Sequence, residues 1–352
     1  MKINRINNLL ELFYCQYQKK SKQDIYLQSL KNPERKYSWA EVHSNINKLS
    51  EEISRYINKG DRCLLVSENR PEWLISDLSI MLSGGVTVPA YTTYTERDYE
   101  YIINDCTPSI LIISDKIQYS KIKEIIPKKK FIKKIIFFEY IDDFNEELHL
   151  NIDEIFNKKS DNDHFLDLEI QRKDLACIIY TSGTQGNPKG VMLSHGGILN
   201  NCEGAYVLLK EFISKNPKFL TWLPLSHSYE HTVQFVQIVV GAKVFYAESI
   251  EKLIKNMSDC SPEIMTAVPR FYQNLHQKIN TTFSKAKGLK KLLVNQTIIL
   301  GKKRLNKQRF SLIENITNLI CEILVRKKIK KQFGGNLKAF ISGGGALDYD
   351  VG

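Results

Sequence analysis

Residues 178–195 read Ile-Ile-Tyr-Thr-Ser-Gly-Thr-Gln-Gly-Asn-Pro-Lys-Gly-Val-Met-Leu-Ser-His. Two isoleucines and Tyr180 lead in as a buried strand does, and apolar residues resume at Val191. Between them Thr181, Ser182, Gly183, Thr184, Gln185, Gly186, Asn187, Pro188, Lys189 and Gly190 have almost no apolar content. Such a loop suits a polyanion. Glycine lets backbone N–H groups approach phosphate oxygens, hydroxyls donate further hydrogen bonds, and lysine adds a compact point charge. The spacing differs from GxxxxGK[ST], because Lys189 follows Gly186 by three and precedes Gly190. From these residues alone two readings stay open, a phosphate loop and a Gly/Ser/Thr hairpin turn with an exposed lysine.

The rest of the chain bounds the choice. Its 352 residues suffice for about two domains and a large core. With 43% apolar and 25% charged residues it is not globally disordered. No stretch approaches the ~20 apolar residues of a membrane span, and the N-terminal apolar patch is too short and polar for a signal peptide. Seven scattered cysteines without a CxxC pair read as reduced thiols of a cytosolic protein, with no zinc site. A net charge of +11 allows nucleic acid or an anionic membrane as partner. No nucleic-acid module accompanies it, and lysine-rich composition is the plainer account, with one regional exception at residues 283–333.

Upstream of the central loop, residues 1–60 look mostly helical. Ser38 and Glu41 fit a capping box, with Val42, Ile46, Leu49 and Ile53 at helical spacing behind it. A strand at 63–66, a helix opened by Pro71 and stopped at Gly84-Gly85, and a strand from Val86 predict a βαβ unit, hence a parallel sheet covered by helices. A helix over 98–105 and a strand over 110–113 follow. Lys128 to Lys134 reads as a basic surface run, and 142–167 as an acidic surface excursion. The central loop is expected between two strands of the parallel sheet. Ser194 is the expected N-cap of the next helix, beside which His195 reads as structural.

Downstream, residues 221–231 read Thr-Trp-Leu-Pro-Leu-Ser-His-Ser-Tyr-Glu-His. His227, Glu230 and His231 lack the HExxH order, and a metal site is not inferred. Strands are expected at 242–245 and 264–268, and Arg270 opens a helix as either an anion contact or a surface ion pair. Residues 283–333 form a helical, strongly basic insertion with interleaved apolar residues. Such helices either lie on an anionic bilayer or form a solvated pair packed on the main domain, and the second is preferred. Finally Gly343, Gly344, Gly345 and Ala346 follow a strand at 337–341, and the carboxyl end of a parallel strand is where open α/β sheets bind ligands.

The Tyr-Thr-Ser-Gly-Thr stretch with Pro-Lys-Gly-Val and Ser-His resembles the phosphate-binding signature of the acyl-adenylate-forming (AMP-binding) enzymes. Residues 68–73 (Glu-Asn-Arg-Pro-Glu-Trp), 91–95 (Tyr-Thr-Thr-Tyr-Thr) and 223–227 (Leu-Pro-Leu-Ser-His) resemble segments of bacterial long-chain fatty acyl-CoA synthetases. The resemblance runs from about Tyr37 to Gly352. It implies an α/β fold of parallel-rich sheets covered by helices, the large N-terminal domain of such enzymes. Residues 1–170 would be a first subdomain, and 171–352 a second carrying the phosphate loop and the insertion.

It further implies ATP, Mg²⁺ and coenzyme A, with a long-chain fatty acid activated as acyl-AMP and then passed to coenzyme A. Thr181, Ser182, Gly183, Thr184, Gly186 and Lys189 would hold the ATP phosphates, Lys189 and Thr184 contacting them in the transition state. Mg²⁺ would be bound through the phosphates, with Thr184 as a further contact. His227, Gly343, Gly344, Gly345 and Ala346 would line the acyl-adenylate site. The family's adenine, ribose and metal-holding residues and its small C-terminal domain have no counterpart here. The chain is therefore expected to be a truncated or split portion, inactive alone, whose missing part a separate chain would supply. A non-catalytic nucleotide- or acyl-binding protein and an adenylating ligase for another carboxylic acid are the alternatives. The expected location is the cytoplasm, with peripheral contact at the inner membrane face open.

Overall fold

The computed structural model describes residues 2–142, 144–159, 163–167, 169–181, 188–348 and 351. They fall into two compact units, Met1–Pro217 with Thr221–Ala247, and Lys218–Leu220 with Glu248–Gly352.

In the first unit, α1 (Leu9–Lys19) starts at Asn8, whose side chain accepts the Glu11 N–H. β1 (Ile25–Ser29) and β2 (Lys36–Ser38) then pair antiparallel, where the sequence suggested helix. The reason is non-local: the other edge of β1 is taken in parallel by residues 244–246, a partner no local pattern reveals. Ser38 and Glu41 do form the capping box of α2 (Trp39–Ser54), and Val42, Ile46, Leu49 and Ile53 are all buried. Tyr26 stacks on Trp39 with ring centroids 3.7 Å apart.

β3 (Arg62–Val66), α3 (Pro71–Leu82) and β4 (Val86–Ala90) make the expected parallel βαβ unit. Pro71 occupies the first turn of α3, where its missing N–H has no cost. After the helix, Gly84 takes φ +81, a left-handed conformation that favours glycine. α3 contacts α2 on one side and β1, β3 and β4 on others, so its residues from Pro71 to Met81 are all buried. α4 (Glu96–Cys106) leads to β5 (Ile110–Ile113), and α5 (Lys116–Ser120) to β6 (Lys134–Phe137). Lys134 is not on the surface as expected. It is buried, and its ammonium donates to the carbonyls of Glu146 and Glu147. Nor is 142–167 wholly irregular, since β7 (His149–Asn151) and α6 (Ile152–Phe156) lie within it.

β8 (Leu175–Thr181), β9 (Lys189–Ser194) and α7 (His195–Leu209) carry the central stretch. The seven-stranded sheet runs β7-β6-β5-β3-β4-β8-β9. All its pairs are parallel except β8 with β9. Every residue of β4, β5 and β6 is buried, the pattern of a parallel sheet covered on both faces. Residues 218–220 of β10 (Lys218–Thr221) belong to the second unit, and α8 (Ser228–Val239) and β11 (Lys243–Tyr246) complete the first.

In the second unit, α9 (Leu253–Cys260) precedes β12 (Ile264–Ala267). α10 (Pro269–Ser284), α11 (Gly288–Leu305), α12 (Leu312–Cys321), a π-helical turn (Glu322–Arg326) and α13 (Lys327–Gln332) follow, then β13 (Ala339–Ser342). β12 pairs in parallel with both β10 and β13. Tyr272 of α10 donates its hydroxyl to the Ile341 carbonyl at 3.0 Å. Gly334, at φ +83, passes so close to α9 that a Cβ would lie 2.4 Å from the Met257 carbonyl oxygen.

Candidate functional site

The central loop is the connection of an antiparallel hairpin, which corrects the expectation of two parallel strands. Thr181 pairs with Lys189, Tyr180 with Gly190 and Ile179 with Val191. A hairpin needs only a short connection, whereas a parallel return needs a crossover of a dozen or more residues. The polar stretch is too short for the latter, so its length already held the signal. Of the expected phosphate contacts, Ser182, Gly183, Thr184 and Gly186 lie outside the described residues. Thr181 and Lys189 are described, both exposed, on opposite strands at the base of the loop.

Glycine at 190 has a packing reason. A Cβ there would lie 2.8 Å from Ile178 Cγ2 and 3.3 Å from Tyr180 Cζ. The Tyr180 ring is in turn held from α4, its hydroxyl donating to Asp105. Burial, aided by that carboxylate, pushes the phenol pKa far up and keeps it a donor. Residues 91–95 gather at the same place. Tyr94 donates to the Tyr180 carbonyl at 3.5 Å and meets Tyr91 edge-on, and Tyr99 donates to the Tyr91 carbonyl at 2.8 Å.

His227 is the N-cap of α8 and is exposed. Its Nδ1 accepts the Tyr229 N–H at 3.1 Å, so a neutral ring carries its proton on Nε2. The loop bearing it is clamped by Asn69, whose side chain donates to the Leu223 carbonyl at 2.6 Å and accepts the Leu225 N–H at 3.0 Å. Sequence reasoning missed this positioning role. The residues are more than 150 apart in the chain, and only the segment 68–73 flagged the neighbourhood. Arg70, next to Asn69, reaches Glu72 at 3.1 Å and Glu139 at 3.0 Å. Tyr37 donates to Glu72 at 2.7 Å, so this buried carboxylate is satisfied.

Four residues beyond His227, His231 sits in different surroundings. It is buried, edge-on to Trp73, with Nε2 2.8 Å from Asp77 Oδ2 of α3. Burial alone would lower the imidazole pKa, but the Asp77 carboxylate and Cys177 outweigh it and raise it to about 10. His195 is also buried, and its Nδ1 accepts the Leu9 N–H at 3.3 Å. Burial lowers its pKa to about 4, against the opposing pull of Asp77 and Asp174. Both rings hold elements together, and among the described residues no group of three His, Cys, Asp or Glu is placed to hold a metal.

In the second unit, Gly343 follows β13 and donates its N–H to the Ala267 carbonyl of the neighbouring strand at 3.1 Å. Gly344 adopts φ +77 and, like Gly345 and Ala346, is exposed. A Cβ on Gly344 or Gly345 would touch Val268 or Pro269 only at ordinary contact distance. The need for glycine at 344 is therefore conformational, and the turn presents open backbone at the carboxyl ends of β12 and β13. Arg270, in the first turn of α10, is exposed.

A parallel-rich sheet feeding a polar hairpin loop, with a glycine turn after a further parallel strand, defines the class: the α/β fold of the N-terminal domain of adenylate-forming enzymes. MatB from Rhodopseudomonas palustris shares it with TM-score 0.65 at 21% identity, over 98% of this chain and 56% of that one. The long-chain-fatty-acid-CoA ligase FadD1 from Archaeoglobus fulgidus does so with TM-score 0.67 at 20% identity, over 78% and 54%. The chain belongs to the AMP-binding enzyme family, whose pattern it matches over residues 16–352. It is 31% identical over 301 residues to fatty acyl-CoA synthetase A of Dictyostelium discoideum, covering 83% of this chain and 43% of that protein. Long chain acyl-CoA synthetase 3 of Arabidopsis thaliana is 29% identical over 327 residues, with 89% and 49% covered. The chain thus spans about half the length of the curated relatives it matches.

Proposed function

We propose that the chain is the phosphate- and acyl-binding part of an ATP-dependent long-chain fatty acid–CoA ligase acting in the cytoplasm. The observation that carries this reading is the pairing of Thr181 with Lys189 across the base of the polar hairpin, in a chain of the AMP-binding family. The substrates are ATP with its Mg²⁺, a long-chain fatty acid and coenzyme A. In the adenylation step the fatty acid carboxylate attacks the α-phosphorus and pyrophosphate leaves. Catalysis then consists mostly of neutralising and aligning phosphate charge.

Lys189 sits at the rigid end of a strand and supplies one positive charge to the β- and γ-phosphates. Ser182, Gly183, Thr184 and Gly186 would supply hydroxyl and backbone donors to the same phosphates. Among the described residues there is no carboxylate cluster for the metal. Mg²⁺, where bound through the ATP phosphates, would supply further charge neutralisation, and Thr184 is the residue of the loop that would contact it. In the first unit, exposed His227 would offer its Nε2 proton to the acyl carboxylate. In the second unit, taken by itself, the Gly343 turn would offer the exposed backbone of Gly344, Gly345 and Ala346 to the adenylate. Catalytic completeness comes from polypeptide corresponding to the rest of the relatives' length, in this chain or a separate one.

Nucleotide titration of purified 1–352 and its Lys189→Met variant tests the reading. ATP is expected to bind more tightly than AMP, and the variant to lose about tenfold in ATP affinity, or 1.4 kcal/mol, with AMP unchanged. Equal affinity for ATP and AMP, insensitive to Lys189, would sink the assignment of the loop. Binding of ATP and fatty acid without pyrophosphate release, after the remaining polypeptide is added, would favour a protein that binds without catalysis.

A further inference from the structure

The positive charge of the chain is regional. Residues 283–333 hold fourteen lysines and arginines against only Glu314 and Glu322, a surplus larger than the +11 of the whole chain. Diffuse lysine-rich composition therefore does not account for it. Where the structure places the apolar residues of this segment is equally unusual. On α12 and the turn after it, Leu312, Ile316, Leu319 and Ile323 recur at helical spacing on one face, and they are 85%, 64%, 61% and 49% exposed.

The polar contacts point the other way, toward α11. Glu314 pairs with Lys303, Arg326 donates to Asn318 at 2.8 Å and to the Thr297 carbonyl at 3.3 Å, and buried Cys321 meets the Leu293 carbonyl. A water-facing helix ordinarily turns its apolar stripe inward; this one is reversed. Lys302 and Arg304 in the last turn of α11, and Lys327, Lys328, Lys330 and Lys331 of α13, are all exposed.

We propose that α11 to α13 form a docking surface for an anionic lipid bilayer. The stripe of α12 enters the boundary between headgroups and acyl chains, and the exposed ammonium and guanidinium groups of α11 and α13 contact lipid phosphates. Charge complementarity selects this occupant: a nucleic acid would match the charge but leave the stripe in water, and an uncharged apolar partner would leave the cations unmatched. No helix among the described residues is long and apolar enough to cross a membrane, so the contact is interfacial. Docking here would hold a fatty acid ligase where its water-insoluble substrate is concentrated. The surface argument does not depend on that reading of function, because vesicle binding and nucleotide binding are measured separately.

The test is co-sedimentation of the chain with phosphatidylcholine vesicles, with and without phosphatidylglycerol. The chain is expected to pellet with the anionic vesicles and to lose about tenfold in partitioning with pure phosphatidylcholine, at high salt, and in the double variant Ile316→Asp/Leu319→Asp. The replaced side chains are exposed, so the variant is expected to fold, which circular dichroism and unchanged ATP titration check. Lys327→Glu/Lys328→Glu, which leaves the stripe intact, is expected to weaken binding to anionic vesicles alone. Partitioning that is equal for both lipids, or indifferent to the stripe variant, would overturn the proposal. So would a concentration-dependent dimer, seen by light scattering, that the stripe variant abolishes while lipid binding is absent.

Discussion

The seven-stranded sheet and the helices α11 to α13 use the same aliphatic side chains to opposite ends. Ile110, Leu111, Ile112 and Ile113 are wholly buried, while Leu312, Ile316, Leu319 and Ile323 are all exposed. Hydrophobicity alone thus does not say what a residue does; its partner does. In the sheet each aliphatic group meets strands and helices of the same unit. In α12 the hydrogen bonds and ion pair run to α11 and to the turn that follows, and the apolar stripe stays exposed.

The largest effect separating the two regions is expected at the buried pair of the first unit. Asp77→Asn should cost about 3–5 kcal/mol, because it leaves the His231 charge without its counter-ion. Breaking the Lys303–Glu314 pair, which solvent screens, should leave stability nearly unchanged. Urea unfolding followed by circular dichroism checks both, and similar losses would erase the contrast. Next comes truncation of the aliphatic groups themselves. Leu111→Ala is expected to lose about 2–5 kcal/mol, and Leu319→Ala to stay within about 0.5 kcal/mol. A costly Leu319→Ala would mean that the stripe already has an intramolecular partner.

The buried histidines sharpen the picture of the first unit through pH. His231 has a folded pKa raised to about 10, above its unfolded value of ~6.5. Its contribution is fully present below pH ~6.5 and is lost as pH rises through 10. His195 has a folded pKa lowered to about 4, so its contribution is present above pH ~6.5 and is lost as pH falls through 4. Together they place the stability maximum of this unit near pH 6.5. Asp77→Asn should flatten the alkaline limb and His195→Asn the acid limb, and midpoints of thermal unfolding across pH measure each.

The smallest difference is expected between two identical caps. Ser38 with Glu41 and Ser311 with Glu314 are both capping boxes, the first with a buried serine and the second with an exposed one. Ser38→Ala is expected to cost about 1–2 kcal/mol and Ser311→Ala about 0.5 kcal/mol, by the same unfolding measurement. Equal costs would show that burial of the serine adds nothing to the capping hydrogen bonds.

What the sequence disclosed follows the same division. Local chemistry was legible: Pro71 at a helix start, Ser38 and Ser194 as caps, the apolar strands around 63–66 and 110–113, and the polar run between Tyr180 and Val191. Partners far along the chain were not. β1 owes its strand to residues 244–246, Lys134 owes its burial to carbonyls at 146 and 147, and Asn69 clamps a loop beginning at Leu223. Within the candidate site, the polar loop and its length are legible in the residues, but the antiparallel return at Lys189 differs from the parallel arrangement expected there, since strand direction depends on pairing between β8 and β9. The basic insertion was visible as composition; that its apolar stripe faces outward depends on which face α12 turns toward α11.

The ladder between β8 and β9 also limits how this hairpin can drift in length. Side chains alternate across a strand, so a one-residue insertion within β9 would move Lys189 to the opposite face. It would also press a Cβ against the Tyr180 ring where Gly190 now sits. A change of length between Thr181 and Lys189 leaves both pairs in place. Length changes within the strand are therefore penalised in the ladder itself, and the orientation of the lysine is inherited from the sheet rather than from the loop that precedes it.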